Sequence, residues 1–317
     1  MPDKPHFVRE DVKMLLGMLE QMGGTPLEHA PLDEGRAGYI AMGPMVEAEP
    51  RDLAVIKDLT CTGPAGDIPL RLYDARESRE AGPVIMFYHG GGFVIGNLQS
   101  HHALCTEIAA TMDLPVVAVD YRLAPEAPFP AAPDDCEAAT RWVASNPAET
   151  GLTANGLIVM GDSAGGNLAL VTAHSLRKEP AEVPVIMQVP LYPVASDVAA
   201  DKSRADFAEG FLLTGATMDW FNEQYGGGAD DPRNFPMLDD GAGSPPTVLC
   251  TAGLDPLRDS GRQYAAKLID SGTDVTYLEF AGSIHGFANL RKVIPSAQKD
   301  TQILLDAMKD MLGRNST

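Results

Sequence analysis

The hexapeptide Gly161-Asp162-Ser163-Ala164-Gly165-Gly166 follows the apolar run Leu157-Ile158-Val159-Met160 and leads into the helix-prone Asn167-Leu168-Ala169-Leu170-Val171. A serine held between glycines where a strand turns into a helix carries its hydroxyl at the end of a sheet, available as a nucleophile. A second apolar run, residues 84–88, ends in His89-Gly90-Gly91-Gly92-Phe93. Glycines, lacking β-carbons, let backbone N–H groups come close to an oxyanion. Together the two segments provide for attack of a hydroxyl on a carbonyl carbon and for shelter of the charge that develops on its oxygen.

A hydroxyl becomes a good nucleophile only when an imidazole takes its proton, and that imidazole needs a carboxylate to fix its tautomer. With an elbow of this type the order along the chain is serine, acid, histidine. Two histidines follow Ser163, His174 and His285. His174 lies about 16 Å along the helix that the elbow opens, out of reach of the serine. His285, in Gly282-Ser283-Ile284-His285-Gly286-Phe287, is therefore the expected base. Asp255 follows the apolar run 247–251 through Ala252-Gly253-Leu254 and is the expected acid. Asp259 is its rival, although it stands where it would cap the next helix. The expected oxyanion donors are the N–H groups of Gly91, Gly92 and Ala164, aided by the positive end of the helix after Ser163. His89 is expected to order the glycine loop by hydrogen bonding.

No metal site is expected. The chain has no H-E-x-x-H, and the adjacent His101 and His102 point about 100° apart on a helix. Asp230-Asp231 and Asp239-Asp240 lack calcium-loop spacing and read as solvated turns.

The elements that must hold these residues can be traced through the 317-residue chain. Residues 7–22 have the spacing of an amphipathic helix, and a Gly/Pro-interrupted stretch follows to about residue 50. Residues 53–60 and 68–74 read as paired strands around Gly63-Pro64-Ala65-Gly66. From residue 83, apolar runs at 84–88, 115–119, 157–160, 185–191, 247–251 and 275–280 alternate with helical segments. Those helices are expected near 101–112, 133–145, 164–178, 259–271 and 296–313. Continuous apolar strands separated by helices imply an α/β fold, its mostly parallel central sheet flanked by helices.

The alternation fails between residues 197 and 225, where Phe207, Phe211, Leu212, Leu213, Met218, Trp220 and Phe221 cluster. An insertion there would lie above the carboxyl end of the sheet. It is read, with residues 1–50, as a helical cap over a catalytic domain formed by 51–196 and 226–317. Phe93, Asp162, Asn167, Phe211, Leu212 and Ile284 are the candidate pocket residues. Met14, Met18 and Met22 share one helical face and are read first as core packing, alternatively as a soft wall for an acyl chain.

These motifs resemble those of the hormone-sensitive-lipase-like family (bacterial family IV) of carboxylesterases, in the branch whose elbow reads Gly-Asp-Ser-Ala-Gly-Gly. The matching residues are His89 to Phe93, the run Asp120-Tyr121-Arg122-Leu123-Ala124-Pro125-Glu126, Gly161 to Asn167, Asp255-Pro256-Leu257-Arg258-Asp259 and His285-Gly286-Phe287. The resemblance implies an α/β-hydrolase fold with an N-terminal cap. It also implies Ser163 as nucleophile, Asp255 as acid, His285 as base, and Gly91, Gly92 and Ala164 as oxyanion donors. It implies hydrolysis of short-to-medium acyl esters without a cofactor, and often a homodimer. The strand at 275–280, if at an edge, is the candidate for pairing across a two-fold axis.

Two other readings remain open on these residues. One is a receptor-like relative that binds a ligand without catalysis; such proteins have lost the base histidine, and His285 is present. The other is an amidase or lactonase, which would use the same three side chains. The formal net charge of −20 argues against nucleic acid and anionic membrane surfaces as partners. No apolar run reaches the length of a membrane span. Cys61, Cys105, Cys136 and Cys250 form no C-x-x-C pair and read as buried thiols. The N-terminus lacks a secretory pattern, and a cytoplasmic location is expected.

Overall fold

The computed structural model describes residues 6–315. Eight strands form one sheet: β1 (Val55–Gly63), β2 (Gly66–Asp74), β3 (Gly82–Tyr88), β4 (Val116–Val119), β5 (Ala154–Asp162), β6 (Val185–Leu191), β7 (Thr247–Leu254) and β8 (Val275–Ile284). Their spatial order is β1-β2-β4-β3-β5-β6-β7-β8. β1 and β2 form a hairpin, β2 runs antiparallel to β4, and the remaining pairs are parallel. The chain thus has an α/β-hydrolase fold, with the expected hairpin at one edge and β8 at the other.

Period-two alternation sorts the strand side chains onto two buried faces. From β3, Ile85 and Phe87 enter the same cluster as Ile158 and Met160 of β5. Helices α3 (His102–Met112) and α9 (Pro295–Asn315) cover that face with Leu104, Ile108, Leu304 and Met308. Val84, Met86 and Tyr88 point the other way, with Leu157 and Val159. There α4 (Ala131–Ala144) and α5 (Ala164–Lys178) contribute Cys136, Val143, Leu168 and Val171, and α8 (Arg258–Asp270) packs Tyr264 and Leu268 against Leu249 of β7. With both faces covered, the central strands need no polar alternation, which is why they read as unbroken apolar runs.

Four helices lie outside this three-layer body in the chain order. α1 (Glu10–Met22) and α2 (Leu32–Val46) precede the sheet, while α6 (Lys202–Asp206) and α7 (Gly215–Tyr225) follow β6. α2 was not expected, because Gly35, Gly38, Gly43 and Pro44 lower its intrinsic propensity. Tertiary anchoring compensates. Arg36 donates to the carbonyls of Val94 and Ala124, both at 2.9 Å, and pairs with both oxygens of Glu126.

Two other expectations are corrected. Met14, Met18 and Met22 neither pack into the core nor wall a pocket; they are 74%, 51% and 72% exposed. The other face of α1 does the packing, through Val12 and Leu15. Asp239 is not in a solvated turn but buried, 2.6 Å from Arg177 and 3.1 Å from Lys178. The four cysteines are buried and free. Among the described residues no helix is long and apolar enough to cross a membrane.

Burial also sets an acid limit on this fold. Burial pushes the pKa of His174, whose Nε2 lies 2.9 Å from the Tyr264 hydroxyl, down to about 4. Burial, with His101 nearby, pushes His89 down to about 3. An unfolded histidine takes up a proton near pH 6.5, about the value of a free side chain. Below that pH the unfolded chain binds more protons than the folded one, so stability falls as the medium is acidified. The loss runs from about pH 6.5 down to each folded value, at up to about 1.4 kcal/mol per pH unit per histidine. Urea midpoints should decline over this window, and less steeply in His174→Gln. A variant with the parent's slope would refute the assignment to His174.

Candidate active site

β5, β7 and β8 each run on past their expected ends and stop at the residue before a candidate catalytic group: Asp162 before Ser163, Leu254 before Asp255, Ile284 before His285. Three parallel strands, β5 separated from β7 and β8 by β6, therefore deliver three side chains to the same carboxyl end of the sheet. Ser163 itself has φ 55° and ψ −117°, a left-sided conformation that serine rarely adopts. Its N–H donates to the Leu191 carbonyl at 2.8 Å, and its carbonyl accepts from Asn167 N–H at 3.1 Å. Gly165 must be glycine, since a β-carbon there would run into the Tyr88 carbonyl.

His285 Nδ1 lies 2.7 Å from Asp255 Oδ2, and His285 Nε2 lies 2.8 Å from Ser163 Oγ. The carboxylate can only accept, so Nδ1 carries the proton and Nε2 is left as an acceptor facing the hydroxyl. Asp255 is fully buried, and its other oxygen accepts from Leu257 N–H at 2.8 Å. Tyr192 packs edge-on against the imidazole, ring centroids 5.0 Å apart. Asp259 is elsewhere: it accepts from Ser203 N–H and Arg258. His174 faces Tyr264.

Gly91 has φ 120° and Gly92 φ 59°; at Gly91 a β-carbon would also meet the Ile95 carbonyl. No hydrogen bond to a protein acceptor is formed by the N–H groups of Gly91, Gly92 or Ala164 among the described residues. Ala164 opens α5, where the first-turn N–H groups have no intrahelical partner. His89 Nδ1 donates to the Gly90 carbonyl at 2.8 Å and its ring stacks on Tyr121, whose hydroxyl donates to the His89 carbonyl.

A cavity of about 540 Å³ opens onto Ser163 and His285. Of the pocket residues expected from sequence, Phe93, Asp162 and Leu212 line it. Asn167, Phe211 and Ile284 do not. Asn167 spends its amide on the carbonyls of Val194 and Asn234, Phe211 packs edge-on against Phe207, and Ile284 is in the core. Tyr39, Met42 and Val46 of α2 line the cavity instead and were missed with their helix.

Asp162 proves to be a brace. Its carboxylate accepts from Gly90 N–H at 2.8 Å, from His101 Nε2 at 3.1 Å and from Asn289 Nδ2 at 3.2 Å. It thereby ties the elbow to the glycine loop, to the start of α3 and to the loop after His285. Burial opposes its ionisation, but His101 and the Gly90 N–H hold the carboxyl below the ordinary carboxylate range. Only the adjacency of His101 and His102 was visible in sequence; the partner of His101 comes from another strand end.

The profile of a family described as alpha/beta hydrolase fold matches residues 85–289. A carboxylic ester hydrolase of Mycobacterium tuberculosis, LipN, is 40% identical over 82% of this chain and 71% of its own. The ethyl acetate hydrolase of Pseudomonas putida is 34% identical over 90% of this chain and 92% of its own. Among solved structures, an ester hydrolase from the metagenome of Lake Arreo superposes with a TM-score of 0.91 at 37% identity, covering 97% of this chain and all of its own. A Pyrobaculum calidifontis esterase gives 0.87 at 32% identity, covering 96% of this chain and 99% of its own.

Proposed function

The chain belongs to the α/β-hydrolase fold family, in its hormone-sensitive-lipase-like branch, and is a carboxylic ester hydrolase; from that premise we propose that it works through an acyl-enzyme on Ser163. The observation that carries the reading is the unbroken chain of contacts from Ser163 Oγ through His285 to Asp255, at 2.8 and 2.7 Å.

Ser163 Oγ attacks the ester carbonyl carbon as His285 Nε2 takes its proton. The carbonyl oxygen becomes an oxyanion and rests on the N–H groups of Gly91, Gly92 and Ala164. Asp255 holds the imidazole and balances its positive charge. Collapse of the intermediate expels the alcohol, which leaves with the proton from His285. Water then attacks the acyl-enzyme, giving its proton to the same nitrogen, and Ser163 recovers a proton as the carboxylic acid departs. Helices α1, α2 and α7, with the segment between α6 and α7, serve as the cap: Leu19, Met42, Phe221 and Leu213 close the cavity over the reacting bond.

The cavity is enclosed by such apolar side chains, which supports short-to-medium acyl groups as substrates; the relative named for ethyl acetate is in keeping with this. In a p-nitrophenyl ester series kcat/KM should peak below about ten acyl carbons, as a cavity of this size holds a drug-sized ligand and no more. The matching anilide should turn over far more slowly. Equal or faster cleavage of long-chain triglyceride would overturn the chain-length assignment, and a preference for the anilide would make the protein an amidase.

A further inference from the structure

The cavity beside Ser163 takes its fixed charge from carboxyl groups alone. Glu28, Glu47, Asp162 and Asp197 line it, and among the described residues no lysine or arginine does. Arginines on adjoining segments are already matched: Arg36 to Glu126, Arg204 to Asp219, Arg258 to Asp259 and Arg291 to Glu47. Asp162 faces His101. Glu28 and Asp197 remain. They accept from the Thr217 hydroxyl and from Ala199 N–H, each at 2.9 Å, and enter no ion pair among the described residues. Asp197 is exposed and Glu28 partly so, which places both at the solvent side of the cavity.

Carboxylates around a concave, largely apolar site focus negative potential inside it, concentrating cations and repelling anions.

We propose that this cavity selects esters bearing a cationic group, an ammonium alcohol above all, and rejects esters bearing a carboxylate. The inference rests on the hydrolytic centre proposed above and names its substrate class. The same field would drive out the acid product, which leaves as an anion.

The test pairs butyrylcholine with its uncharged isostere, in which a tert-butyl group replaces the trimethylammonium, with hydrolysis followed by pH-stat. An ester of the same acyl group with a carboxylate-bearing alcohol is the third substrate. The cationic ester should exceed its isostere in kcat/KM by about tenfold at low salt, and the anionic one should fall below it by a similar factor. Raising salt from ~0.01 M to ~0.5 M should compress the ratios, because screening shortens the reach of the charges. Glu28→Gln combined with Asp197→Asn should bring the cation-to-isostere ratio toward unity. Removing two charges elsewhere, with Glu182→Gln and Asp310→Asn, should leave it in place, which separates the local field from the net charge. A parent ratio at or below unity, or one untouched by the cavity variant, overturns the proposal while leaving the esterase reading intact. Failure of all three substrates together with an unlabelled Ser163 would sink that reading and this one with it.

Discussion

Ser163→Ala should lower kcat for p-nitrophenyl butyrate by about 10⁶, the scale of loss when the nucleophile of a triad is removed. Without Oγ no acyl-enzyme can form, and the only nucleophile left near the carbonyl is water. His285 and the backbone donors remain, so a residual rate above that in buffer should persist, on the order of 10³-fold. The substitution removes one oxygen from a partly buried side chain whose backbone is already tied down by Leu191 and Asn167. The fold should therefore survive, and thermal unfolding of the variant should track the parent. A fluorophosphonate should add to the parent at Ser163, read as a mass increment on the peptide containing it, and should add nothing to the variant. Turnover by the variant at anything near the parent's rate would remove Ser163 from the mechanism.

Asp255→Asn is the second large effect, a loss of about 10⁴ in kcat at neutral pH. The reason is specific to how the carboxylate is held. Asp255 Oδ1 accepts from Leu257 N–H, while Oδ2 faces His285 Nδ1. An asparagine would keep its oxygen on the Leu257 N–H and turn its NH₂ toward the imidazole. Two donors would then meet unless the ring shifts its proton to Nε2, where it faces the serine and cannot accept. The nucleophile would be intact but without a base. Steady-state kinetics should show the loss mostly in kcat, with KM little changed, since Asp255 is buried away from the cavity wall. A loss below tenfold would mean that the carboxylate does not set the tautomer, and Asp259 would have to be reconsidered.

Much of this arrangement is written locally in the chain. The central strands are legible because both faces of the sheet are covered, so each is an uninterrupted apolar run, and α5 begins at the residue after the elbow serine. Helix α2 was illegible for the opposite reason. Its glycines and Pro44 argue against a helix, and what sustains it is Arg36 reaching carbonyls and a carboxylate far along the chain. The methionines of α1 have the right spacing for burial, yet spacing alone cannot say which of two apolar faces meets the protein; Val12 and Leu15 do, and the methionines face outward.

The pocket divides in the same way. Leu212 and Phe93 reach the cavity as expected, while Asn167, Phe211 and Ile284 turn away from it. Residues near a motif in sequence are not thereby near its reacting atom: Ile284 points from β8 into the core, Asn167 turns from α5 to the carbonyls of Val194 and Asn234, and Phe211 packs on Phe207. Asp162 sits beside the nucleophile, but its work is to hold three other segments.

The residue types, their order and the strand that precedes each of them were determined by the sequence alone, because close backbone approach demands glycine and a buried strand demands apolar side chains. Which side chains meet was decided only by the tertiary structure. Contact between Ser163, Asp255 and His285, the bracing by Asp162 and His101, and the acidic lining of the cavity all join segments far apart in the chain. Their distances depend on how the strands are ordered in the sheet, a quantity that no local pattern encodes.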